Sequence, residues 1–139
     1  MIRLGASTCF AVVWVACGQA AGGRGPHGPP FAFGGGAVHG PYAVTVAIDG
    51  SVHVSGSQGL MRIGVTQLGP ARIAALNRLT LDVRFGSLPA VTHCSGAPSN
   101  SSLSWIRVGP KKVLVYGACL SGYQRLLRAL KGAVLISSG

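Results

Sequence analysis

Apolar residues alternate with polar ones in two parts of this chain and recur at helical spacing in two others. From Ala43 to Ile48, Val44, Val46 and Ile48 fall on one side and Ala43, Thr45 and Ala47 on the other. Asp49-Gly50 follows, and Ser51–Ser55 alternates again, with Val52 and Val54 inward and His53 outward between two serines. Strand, DG turn and strand predict a β-hairpin. Leu60–Thr66 predicts a third strand, interrupted by Gly64. Gly69-Pro70 then opens a helix, with proline at a first position that does not need its N–H. Ile73, Leu76, Leu79 and Val83 share one face of it, and its end is expected near Arg84–Gly86.

A second hairpin is predicted from Leu103–Val108 and Lys112–Gly117, turning at Gly109-Pro110-Lys111. Both of its faces carry apolar side chains, which places it inside the sheet rather than at an edge. Trp105 and Tyr116 are expected to meet across its strands. Tyr123, Leu126, Leu127 and Leu130 then fall at i, i+3, i+4 and i+7, the stripe of an amphipathic helix. Ser121 is the expected N-cap and Gly132 the expected end, with Ala133–Ile136 prolonging the helix or forming a short strand. The fold class is α+β: an antiparallel sheet of about 4–5 strands packed by two helices, in the order β-β-(β)-α-β-β-α.

Upstream of Tyr42 the pattern changes twice. Arg3, the apolar run Cys9–Ala16 and the small residues Gly18, Ala20 and Ala21 have the layout of a signal peptide over 1–21. Cleavage after Ala20 is the expected outcome. An uncleaved anchor and a lipidated Cys17 are the alternatives. Residues 22–41, GGRGPHGPPFAFGGGAVHGP, read as a disordered Gly/Pro-rich linker, in which Phe31 and Phe33 are an alternating aromatic pair. The folded domain is therefore expected to be 42–139.

Charge narrows the function. Twelve Lys and Arg face two acidic residues, Asp49 and Asp82, for a net charge of +10. Such a balance favours acidic partners. It also leaves no carboxylate pair for glycosidase chemistry, and no His/Cys/acid spacing fits a zinc site. No GxSxG, Walker or dinucleotide glycine pattern is present. No enzyme activity, cofactor or metal is therefore expected. Nucleic acid is not expected either, because no basic run is interleaved with aromatics. Cys94 and Cys119 enclose the second hairpin and, in an exported chain, form a disulfide. Loop entropy makes that bond worth about 3.5 kcal/mol. The alternative, Cys94 as a nucleophile served by His93, fails on strand geometry, since adjacent residues point to opposite sides.

From about Leu68 to Val134 the layout resembles the emfourin family, small bacterial inhibitors of thermolysin-like metallopeptidases. The resemblance is carried by Leu68, Leu76 and Leu79, by Phe85 and Leu88-Pro89, by the hairpin SLSWIRV–KKVLVYG, and by the closing YQRLLRAL. It implies an inhibitor-like binding domain and assigns no inhibitory residue to this sequence. The expected function is thus a secreted, non-catalytic binding domain with a protein partner. The alternative is an envelope-associated structural protein contacting anionic surface polymers. Lys111, Lys112, Arg125, Arg128 and Lys131 are the expected contact surface. Membrane attachment follows only if the N-terminus is retained or lipidated at Cys17.

Overall fold

Phe31 and Phe33 lie at the middle of the sheet. In the computed structural model, which describes residues 28–36, 41–56, 64–97 and 103–134, they belong to strand β1 (Phe31–Gly35). Strand alternation turns both rings to one face, where they are 1% and 0% exposed. The expected linker 22–41 is corrected over these residues. Burying the two rings stabilises by about 2–3 kcal/mol each, which offsets the entropy cost of ordering a glycine-rich strand. The expected signal peptide, its alternatives and Cys17 lie outside the described residues.

The remaining elements are β2 (Tyr42–Val46), β3 (Val52–Gly56), α1 (Pro70–Asp82), β4 (Val91–His93), β5 (Leu103–Val108), β6 (Lys111–Tyr116) and α2 (Ser121–Val134). The α+β class and the two helices are as the pattern predicts. The sheet has six strands in the order β3-β2-β1-β5-β6-β4. Its neighbours are antiparallel except β4, which runs parallel to β6, so the sheet is mixed. As expected, neither strand of the second hairpin is an edge. Leu60–Thr66, the expected third strand, lies mostly outside the described residues. Its described end supplies the Thr66 carbonyl that accepts the Val52 N–H at 2.9 Å, and the next residue, Gln67, forms an isolated bridge with Ser51.

Several boundaries moved, each for a local reason. Chain reversal between β2 and β3 starts after Val46, so Ile48 lies in the turn and is 44% exposed instead of buried. Asp49 Oδ1 accepts the Ser51 N–H at 2.9 Å and the Ser51 hydroxyl at 2.7 Å. Gly50, at φ 87°, lets the chain turn back. Helix α1 stops at Asp82, and Arg84 takes the left-handed conformation at φ 52°, which leads into a 3-10 turn, Phe85–Ser87, that buries Phe85. Ser121 is helical rather than the cap, because the Leu120 carbonyl already accepts the Gln124 N–H at 2.9 Å. Gly132 does not end α2, which continues so that Ala133 and Val134 are buried.

Both helices pack on one face of the sheet. Ile73 and Leu76 of α1 and Tyr123, Leu126, Leu127 and Leu130 of α2 share one core with Phe33, Val44, Ile106, Val113 and Val115. The Tyr123 hydroxyl donates to Ser104 Oγ at 3.0 Å. Its full burial pushes the phenol up to about 12, with the Ser104 contact pulling the other way. Cys94, just past β4, is bonded to Cys119, just before α2, with Cα atoms 5.5 Å apart.

Candidate functional site

The strand registers determine what the other sheet face presents. Helices occupy the face of Phe31, Phe33, Val44 and Ile106. The opposite face carries the alternate residues and has no described helix across it. One row across it runs Val91, Leu114, Trp105, Gly34, Ala43 and Ser55. The next runs Lys112, Arg107, Ala32, Thr45 and His53. A third, at the other end, has His93, Tyr116 and Leu103. Val91 is 50% exposed. Arg107, Thr45, His53, Ser55 and His93 are exposed too, and Trp105 is half-buried.

Trp105 is the centre of this face. Its ring lies over Gly34: a Cβ at that position would come 2.6 Å from the ring's Cζ2 and would also meet the Tyr42 carbonyl. Glycine is therefore required on β1 for the indole to lie down. The Lys112 ammonium sits over the same ring, 4.6 Å from its centroid, a cation–π contact. Directly opposite Lys112 is Arg107. Tyr116 is not the partner expected for Trp105. Leu114 stands opposite Trp105, and the Tyr116 ring instead stacks on His93 with centroids 4.4 Å apart and planes 5° from parallel.

The expected contact surface is split by the fold. Lys112 belongs to the open face. Lys111 pairs with Val108 and shares that residue's side of the sheet. Arg125 and Arg128 are exposed on α2, in the helical layer, and Lys131 is half-buried near that helix's end. Arg125 stands 3.9 Å from Asp82, both side chains being more than half exposed. Such a pair contributes little. Arg107, Trp105 and Gly34 were absent from the expected surface, although the alternation of Leu103, Trp105 and Arg107 showed that they share a face. What was missing was the neighbour, β1.

Nothing described converges as acid and base. Asp49 is in the β2–β3 turn, where the Ser51 hydroxyl and N–H hold its carboxyl below the usual range. Asp82 is at the end of α1. Cys94 is a disulfide half and offers no thiolate. No cluster of three metal-ligating side chains forms among the described residues. A hollow of about 350 Å³ beside the disulfide is lined by Cys94, Cys119 and small residues. One of about 320 Å³ between α1 and α2 is apolar apart from Arg72.

No known protein family, curated protein or solved structure matches this chain. The disulfide fits an oxidising, extracytoplasmic setting. Among the described residues, no helix is long and apolar enough to cross a membrane.

Proposed function

We propose that this chain is a secreted, non-catalytic binding domain that meets its partner through the open sheet face. The observation that carries this reading is Trp105, laid over Gly34 and flanked by Lys112 and Arg107 on a face that no described helix covers. Tryptophan, tyrosine and arginine supply most of the energy at docked surfaces. The separation of Asp49 from Asp82 supports the non-catalytic part, and the disulfide supports export.

The resemblance over 68–134 makes a thermolysin-like metallopeptidase the first partner to test. Wild-type protein immobilised with its disulfide intact should retain a specific protein from the culture medium. Trp105→Ala should lose it while keeping its thermal midpoint within a few degrees. Inhibition of thermolysin by the wild type, relieved in the same variant, would give the partner its class. Retention that is indifferent to Trp105 would sink the assignment of this face.

A second reading, association with anionic envelope polymers, is favoured by the two cations side by side on that face. Cell fractionation separates the two: protein free in the medium at low salt excludes envelope association.

A further inference from the structure

On the open face, β1 and β2 present only Ala32, Gly34, Ala43 and Thr45, none larger than threonine. Larger side chains stand beside them, Trp105 and Arg107 on β5 and His53 on β3. The result is a low strip of sheet formed by Ala32, Ala43 and Thr45, bordered by the Trp105 indole where it lies over Gly34. We propose that this strip, with Trp105, Arg107 and Lys112 beside it, binds a single chain of an acidic polysaccharide of the uronic-acid type. The inference rests on the reading of the open face as the binding surface.

Two features select that occupant. The indole, lying flat over Gly34, offers an apolar surface for the C–H face of a pyranose ring. Arg107 and Lys112, directly opposite one another on neighbouring strands, are placed to hold a carboxylate. The guanidinium fork suits it with two hydrogen bonds. Lys112 gives up its cation–π contact in exchange for a charge-assisted hydrogen bond.

Hydroxyls of the sugar find Thr45, Ser55 and His53, all exposed along the far side. No described strand carries a carboxylate. The nearest, Asp49, lies in the turn beyond His53 and is engaged by Ser51. A single-stranded nucleic acid fits less well. Platforms for it stack successive bases on successive aromatics, whereas here Tyr116 is already stacked on His93.

The test is a titration of the purified full chain, disulfide intact, with polygalacturonate oligosaccharides, followed by calorimetry and tryptophan emission. Trp105→Ala and the double variant Arg107→Gln/Lys112→Gln should each weaken binding about tenfold or more. Trp105→Phe, which keeps an aromatic ring, should retain most of it. Arg125→Gln/Arg128→Gln, on the helical layer, should stay within about twofold. Methyl-esterified oligosaccharide should not bind. The proposal is overturned by an absence of binding, by equal loss in the Arg125/Arg128 variant, or by undiminished binding of the methyl ester. Tighter, Trp105-dependent binding of polyglutamate or oligo(dT) would overturn it as well, naming a peptide or a nucleic acid as the occupant. If a protein partner is retained through Trp105 while polygalacturonate fails, the binding-domain reading stands and only this inference falls.

Discussion

Two glycines and a tyrosine show how much rests on single side chains. Gly34 and Gly35 end β1, and each is used on its own side of the sheet. Gly34 accommodates the Trp105 indole, and Gly35 lies against the Tyr42 ring on the helical side. Gly34→Ala places a methyl group against the indole and the Tyr42 carbonyl. A loss of about 1–3 kcal/mol in urea unfolding is expected, with a shift of tryptophan emission as the ring is lifted. Tyr123 gives a pH signature. Below about pH 10 the phenol keeps its proton in both states, and its contribution is complete. Between pH 10 and about 12 the unfolded chain loses a proton that the folded chain retains. The unfolded state then binds fewer protons, so stability falls as pH rises, by about 2 kcal/mol across that window. Tyr123→Phe should start about 1 kcal/mol less stable through the lost Ser104 bond and show a shallower alkaline decline. Burial raises Tyr42 in the same direction, so some decline remains. Unfolding midpoints at pH 9 and pH 11.5 check both statements.

At the scale of elements, the disulfide ties β4 to α2 and encloses the β5–β6 hairpin, the source of Trp105, Arg107 and Lys112. β4 has three residues and pairs only with β6, so it depends on that tie more than the longer strands do. Reduction, or Cys94→Ala/Cys119→Ala, should lower stability by about 3 kcal/mol, read from the denaturant midpoint. The His93–Tyr116 stack should loosen first, seen as faster amide exchange at His93 and Cys94 than at Ile106. Helices, hairpins and the cysteine pair were legible locally, because periodicity and turn residues report on neighbours in sequence. β4 was not: three residues of VTH carry too little alternation to stand out, and its parallel pairing depends on where α1 returns the chain.

At the scale of the molecule, β1 extends the folded domain upstream of Tyr42. It lies between β2 and β5, joining the first hairpin to the rest of the sheet. A chain starting at Tyr42, the boundary that composition marks, should lose cooperative unfolding by circular dichroism. A chain starting at Gly28 should keep a single sharp transition. Equal behaviour of the two would contradict the placement of Phe31 and Phe33 in the core. By itself, the sequence determined the α+β class, both helices, both hairpins, the positive charge and the cysteine pairing, all set by local periodicity, turn chemistry and composition. Tertiary structure alone decided that a glycine-rich segment supplies a central strand, because two phenylalanines gain burial only once β2 and β5 flank them. It also decided which cations share a surface. Lys112 joins Arg107 and Trp105 through strand register, while Arg125 and Arg128 lie in the other layer, and register depends on partners distant in the chain.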